Sequence, residues 1–237
     1  MGLFKNYDKF LHNKYSQNGE DGVLSEILRE LNIKVGTCIE FGASTGKDNS
    51  NTFSLVEEKW QALYIEADKD RFQKLLLTTK NYPFVTLSNE YVSHIQGPND
   101  LNSIIKKNKF EQNCDILSID IDSEDLRVWE VFKGKPKIVI IEINSSIKPG
   151  ILNYHLDKYP GNSFSSTHKV GKKKGYILLC HTGNLIFLRK DLFRFSRLSW
   201  IYVYFPYFLY KRSWVEKSYF EEYIVYKYNK YIKKYIH

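Results

Sequence analysis

Five carboxylates, Glu40, Glu66, Asp120, Asp122 and Glu142, each close a short apolar run. Inside a protein such groups would be unpaired charges unless they meet a donor, a metal or a ligand, so their recurrence points to a site. Glu40 is followed by a turn holding Gly42 and Gly46, then by Asn49, Ser50, Asn51 and Thr52, which suit the start of a helix. A strand that ends in a glycine turn and enters a helix presents unpaired backbone N–H groups to a ligand. The carboxylate at its end would repel a pyrophosphate but can accept from a ribose hydroxyl or a ligand ammonium. Glu66, about 25 residues after the turn begins, is placed to hold the two hydroxyls of a ribose.

Asp120 and Asp122 are spaced by two, which on an extended strand puts both side chains on one side. Asp122, Glu142 and Asn144 offer the oxygen ligands that a hard ion such as Mg2+ requires, or else form a hydrogen-bonded cluster with no metal. His168 could serve as a general base near neutral pH, or be a surface histidine among Lys169, Lys172, Lys173 and Lys174.

The elements that must position these groups alternate. Strands are predicted at 37–41, 62–67, 84–87, 115–122 and 138–144, with helices after residue 21, at 51–58, after Asp68, at 99–107 and at 124–132 capped by Ser123. In the first helix Val23, Leu24, Ile27, Leu28 and Leu31 share a face, while Glu20 and Asp21 suit the positive end of its dipole. Phe72, Leu75, Leu76 and Thr79 are expected to face inward from the third helix. After a loop at 145–161 and a helix at 162–173, strands at 175–180 and 184–189 are joined by the short turn His181–Gly183, an antiparallel hairpin. The fold class is α/β: five parallel strands plus a C-terminal antiparallel hairpin, flanked by helices, a Rossmann-like sheet.

The 237 residues suffice for a full core. Net charge is uneven: residues 189–237 hold eleven Lys/Arg against four Asp/Glu, while residues 1–188 hold 24 against 23. The same last stretch carries 17 of the 37 aromatics, so the chain reads as a domain over 1–192 followed by a basic, aromatic helical extension over 193–237. Cys38, Cys114 and Cys180 lack metal-type spacing and read as free thiols of a reducing compartment. No apolar run reaches a membrane-spanning length, and the first residues lack a signal-peptide core, which together predict a cytoplasmic protein. Residues 200–210 are apolar or aromatic and flanked by Arg194, Arg197, Lys211 and Arg212, the make-up of a segment at headgroup level on the inner face of a membrane. The other readings are packing on the domain or pairing with a second subunit. The absence of an RNA-binding motif argues against nucleic acid.

Five parallel strands closed by a hairpin is the layout of the class I S-adenosylmethionine-dependent methyltransferases. Ser-Gln-Asn-Gly-Glu-Asp at 16–21, Ile-Glu-Phe-Gly-Ala at 39–43, Ser-Asn-Thr at 50–52, Trp60 and Tyr-Ile-Glu-Ala at 64–67 resemble the FkbM-like branch of that superfamily in order and spacing. The resemblance covers residues 15–192. Two departures stand out: Ser44 and its neighbours replace a glycine of the turn, and Ile-Asp-Ile-Asp-Ser-Glu-Asp at 119–125 replaces the branch's Lys-Ile-Asp-Val-Glu-Gly. The resemblance implies S-adenosylmethionine as cofactor, with Glu40, Gly42, Ala43 and Gly46 along its methionine and ribose and Glu66 on the ribose hydroxyls. It places Asn51 in the cofactor-binding set and Asn89 or Glu90 near the adenine, and it has Gln17 and Asp21 close the pocket. Asp120 would approach the methionine ammonium or the acceptor.

The expected activity is O-methylation of a carbohydrate or glycolipid acceptor, with Asp120, Asp122 or His168 as catalytic groups and a divalent metal as a further cofactor. The rivals are a methyltransferase for a small molecule or RNA, and a non-catalytic binding or scaffold protein whose cofactor turn Ser44 and Thr45 obstruct.

Overall fold

The computed structural model describes residues 7–193 and 206–210. Its seven strands are β1 (Thr37–Phe41), β2 (Gln61–Ile65), β3 (Val85–Ser88), β4 (Ile116–Ile119), β5 (Ile138–Glu142), β6 (Tyr176–His181) and β7 (Asn184–Arg189). They form one sheet in the order β3-β2-β1-β4-β5-β7-β6. Strands β1 to β5 are parallel, and β7 enters antiparallel between β5 and β6. This is the expected Rossmann-like sheet of five parallel strands closed by a C-terminal antiparallel hairpin.

Six α-helices flank it: α1 (Glu20–Leu31), α2 (Phe53–Glu57), α3 (Lys69–Thr79), α4 (Leu101–Lys107), α5 (Asp125–Val131) and α6 (Phe164–Lys173). Alternation along the strands divides the core. Ile39, Phe41, Leu63 and Leu117 face α4, α5 and α6 with Trp129 and Phe164, while Cys38, Ala62, Tyr64 and Ile140 face α1, α2 and α3 with Leu24, Trp60 and Leu75. All three cysteines are buried free thiols. Burying both faces of β1, β4 and β5 explains why these strands are dominated by apolar residues, β5 above all.

Several boundaries differ from expectation for local reasons. Helix α4 begins at Leu101 because Asp100 caps it, accepting from Ser103 N at 3.0 Å. Asp68 caps α3 through Arg71 N as expected, but Leu76 is exposed. Strand β4 stops at Ile119, short of both aspartates. The Asp125 carboxylate draws the chain into a turn by accepting from Ile121 N (2.7 Å) and Ser123 N (2.9 Å), and Asp122 takes φ 55° there. The two-residue alternation therefore does not govern Asp120 and Asp122. Ser123 is not the cap of α5: Glu124 holds that position and makes no side-chain cap bond.

His181, expected in the hairpin turn, is the last residue of β6. Residues Pro206–Leu209 form a short 3-10 helix, and Leu209 and Tyr210 pack on the α5–α6 side of the core. The remainder of the expected C-terminal extension lies outside the described residues. Among the described residues no helix is long and apolar enough to cross a membrane.

Candidate functional site

The strand order reverses between β1 and β4, and the site opens above the carboxyl ends of these strands. The turn after β1 is shaped by glycine. Gly42 (φ 79°) donates from its N–H to Ile65 O at 3.0 Å, and a Cβ there would sit 1.6 Å from the Asp120 carbonyl oxygen. Only glycine lets β1 turn away so close to the end of β4. Ser44 adopts φ 49° without closing the turn, because its N–H is held by Glu66 Oε2 at 2.7 Å. Glu66 Oε1 accepts from Asp68 N at 2.7 Å. Each oxygen of this nearly buried carboxylate keeps acceptor capacity beyond its one amide.

A cavity of about 460 Å3 lies over this turn, lined by Gln17, Glu40, Gly42, Ala43, Glu66, Glu90 and Asp120 among others. Of the expected cofactor residues, Asp21, Gly46, Asn51 and Asn89 do not line it. Gly46 packs on Leu75, where a Cβ would approach to 2.4 Å. Asn51 is buried between strands, its N–H on Glu40 Oε1 (3.0 Å) and its amide on Ser118 Oγ (3.1 Å). Asn89 ties the ends of β2 and β3 by donating to Glu66 O at 2.8 Å. Glu40 shares the face of Cys38 and so points under the start of α2, where Ser50 Oγ (2.7 Å), Asn51 N and Thr52 Oγ1 donate to it. Burial holds its pKa above the usual carboxylate range against those bonds.

Glu20 and Asp21, read as first-turn charges, are both buried. Asp21 Oδ2 accepts from Lys14 N (2.9 Å), Tyr15 N (2.8 Å), Ser16 N (2.8 Å) and Ser16 Oγ (2.7 Å). Burial alone would raise its pKa; a bond from Ser54 and these amides bring it below the ordinary value. Asp21 thus moulds the loop that carries Gln17 rather than closing the pocket itself. Glu20 Oε2 accepts from Asn18 N at 2.8 Å.

A second cavity of about 500 Å3 adjoins the first and shares Gln17, Asp120, Asp122 and Glu142 with it. Its other walls add the carboxylate of Asp125, the uncharged polar Asn18, Asn144, Ser145, Ser146, Asn162 and Asn184, and the apolar Ile143 and Pro160. Among the described residues no lysine or arginine lines it. Ligand oxygens of Asp120, Asp122 and Glu142 lie within 4.8 Å of one another. Asp120 and Glu142 are hydrogen-bonded, and both pKa values are raised, first by burial and then by neighbouring carboxylates, Asp125 on Asp120 and Asp120 on Glu142. The pair therefore retains a proton near neutral pH. Asn144, expected with Asp122 and Glu142 as a metal ligand, is engaged elsewhere: its Oδ1 accepts from Ser146 N (3.0 Å) and its Nδ2 donates to Pro160 O (2.8 Å).

His168 lines neither cavity. It stacks on Phe164 at 6.4 Å, and burial followed by Lys172 pushes its pKa down to about 4. A different histidine borders the site. His181 is fully buried, stacked on Tyr210 at 5.1 Å, with Nε2 2.9 Å from Ser145 Oγ. The Tyr210 hydroxyl donates to the Ser145 carbonyl. The signal available in the sequence was position: β6 runs parallel to β5, so its last residue falls at the same sheet end as the carboxylates.

No family model and no curated protein matches the chain. Solved structures resemble it at low identity. The CurJ carbon methyltransferase is 13% identical over 70% of this chain and 51% of that one, with a TM-score of 0.47. This chain thus spans about half its length. An S-adenosylmethionine-dependent methyltransferase from Aquifex aeolicus is 13% identical over 70% and 88% of the two chains, with a TM-score of 0.44. The N-terminal domain of EvdMO1, in the presence of S-adenosylhomocysteine and D-fucose, is 9% identical over 73% and 83%, with a TM-score of 0.44.

Proposed function

We propose that the chain is an S-adenosylmethionine-dependent O-methyltransferase acting on a carbohydrate hydroxyl, with cofactor in the first cavity and acceptor in the second. The observation that carries this reading is that two cavities meet at one set of residues, Gln17, Asp120, Asp122 and Glu142. The donor set fits the cofactor. Glu40, Glu66, Glu90 and Asp120 make the first cavity acidic, with Arg71 the one cation among its described lining residues. Such a cavity suits a ligand carrying an ammonium and a sulfonium and disfavours a pyrophosphate.

When bound, S-adenosylmethionine supplies an electrophilic methyl group on a positively charged sulfur. The chain's own tasks are to align the acceptor in line, exclude water and take up one proton. The Asp120–Glu142 pair stands where the acceptor hydroxyl would enter. With one proton already shared and its pKa raised, the pair is a stronger base than an ordinary carboxylate, and the proton leaving the hydroxyl goes to it. The uncharged amides and hydroxyls of the second cavity complement a polyol. Its carboxylates, with no cation among the described lining residues, weigh against RNA and other phosphate-rich acceptors. A second reading keeps the same site with a divalent cation, favoured by the three clustered carboxylates, which would supply half of an octahedral shell.

The test is calorimetric titration of S-adenosylhomocysteine into wild type and Glu66→Gln, with and without Mg2+. Micromolar binding that weakens about tenfold or more in the variant is expected, as for loss of charge-assisted hydrogen bonds to a diol. Absence of binding by wild type under both conditions overturns the reading. Binding that requires Mg2+ selects the metal form.

A further inference from the structure

The uncharged polar side chains around the second cavity are not equivalent. Asn162 Oδ1 accepts from His155 N (3.1 Å), and its Nδ2 donates to Ser123 O (3.3 Å). Ser146 Oγ donates to Asn144 Oδ1 at 2.6 Å, and Ser145 Oγ is paired with His181 Nε2. Each of these groups already has a partner within the protein.

Asn184 is different. It lines the cavity with 7% of its surface exposed. Its Nδ2 donates to Glu20 Oε1 at 3.0 Å, and that bond fixes the amide. The reverse orientation would set Oδ1 against a carboxylate oxygen that already draws in Thr182 Oγ1. Oδ1 is thereby left with no donor among the described residues. A buried amide oxygen without a donor costs stability, so one kept in that state on a cavity wall points to a donor on the ligand.

The strand register supplies its neighbour. Asn184 is paired with Glu142 across β7 and β5. Directly opposed residues of an antiparallel pair share a face, with Cβ atoms about 4.5–5.5 Å apart. That face is the α1 side, since Ile140 and Ile186, the next residues inward, belong with Leu24 of α1 to one core cluster. The carboxylate that takes up the proton in the reading above therefore has an unpaired neutral acceptor beside it.

We infer that Asn184 selects the acceptor, taking a hydrogen bond from a second, unreacting hydroxyl next to the one that meets Glu142. The substrate class is then a vicinal diol, as found on a sugar ring; the inference rests on the acceptor reading of the second cavity. An ether or a methylene at the neighbouring carbon has no proton to give, and would leave Oδ1 unpaired in a filled site. A diol already methylated on one oxygen lacks either the reacting hydroxyl or the donor, so the site is set for one methyl group per diol.

The experiment is an NMR titration of the 15N-labelled full chain with cis-cyclohexane-1,2-diol, cyclohexanol and 2-methoxycyclohexanol. Wild type is expected to bind the diol about tenfold more tightly than either monohydroxy probe, with a shift of the Asn184 side-chain amide resonance. Asn184→Leu should bind all three probes alike. Thr182→Val weakens the same Glu20 contact but leaves Oδ1 in place, and should keep the preference. No diol binding, equal binding of the three probes by wild type, or a preference that survives Asn184→Leu overturns the inference. Loss of the preference in Thr182→Val as well would assign it to the Glu20 contact and overturn it too. Should Asn184→Leu fail to fold, the wild-type comparison and the amide shift decide the matter alone. Calorimetry with S-adenosylhomocysteine separates the two readings. Its binding without a diol preference overturns this inference only, whereas a diol preference without its binding supports the Asn184 contact and overturns the cofactor reading.

Discussion

Glu20 and Thr182 are 162 positions apart in the chain, yet Thr182 Oγ1 donates to Glu20 Oε1 at 2.6 Å in a fully buried setting. Asn184 Nδ2 donates to the same oxygen at 3.0 Å, and Asn18 N to the other at 2.8 Å. One carboxylate therefore bolts the loop carrying Gln17 and Asn18 to the turn between β6 and β7, across the second cavity.

Glu20→Ala should remove the acceptor of two buried donors, Thr182 Oγ1 and Asn184 Nδ2, and of the half-buried Asn18 N–H. A loss of about 2–4 kcal/mol in urea unfolding is expected. Because Gln17 lines both cavities, affinity for S-adenosylhomocysteine should fall as well, whereas a purely structural brace would leave calorimetric affinity unchanged.

Gly42→Ala should be more damaging than a glycine substitution in an ordinary turn. The added methyl has backbone, not a flexible side chain, in its way, and the φ of 79° is unfavourable for alanine. About 2–4 kcal/mol of destabilisation is expected by thermal or urea melts. Displacement of the β4 end would carry Asp120 with it, so ligand binding should weaken beyond what unfolding explains.

Glu142→Gln should stabilise the protein while impairing transfer. The folded-state pKa of Glu142 is raised by burial and by Asp120, so its contribution to stability is fully present below the unfolded carboxylate value near 4 and is lost as pH rises through the raised value. Glutamine keeps a donor toward Asp120 and removes a titrating charge. Melts at pH 5 and pH 8 should show a variant advantage of a few degrees at the higher pH, corresponding to about 1 kcal/mol, that shrinks at the lower one. A variant less stable than wild type at pH 8 would contradict this account.

The strands were legible because burial on both faces leaves a plain apolar signature, as in Thr37–Phe41 and Ile138–Glu142. The capping role of Asp68 was legible from local spacing. Roles set by partners distant in sequence were not. Glu40 could be seen to end a strand, but its engagement by Ser50, Asn51 and Thr52 depends on which face it takes. Asp120 and Asp122 were placed together for an extended-strand reason that the Asp125 turn replaces. His181 reads from sequence as a turn residue because hairpin boundaries are ambiguous by a residue, and that residue decides between a solvated turn and a buried ring beside Ser145.

The antiparallel insertion of β7 has a consequence for synthesis. Until residues 184–189 leave the ribosome, the strand Ile138–Glu142, buried through Ile141, has a partner on its β4 side alone, and its outer rim of amides and carbonyls is unpaired. A nascent chain halted before the hairpin would thus carry a sticky, apolar sheet edge, an opening for misassembly that chaperones would have to cover. Folding is completed only when one of the last strands made slides between its neighbours. Termination shortly before β7 should give an aggregating fragment rather than a smaller working domain.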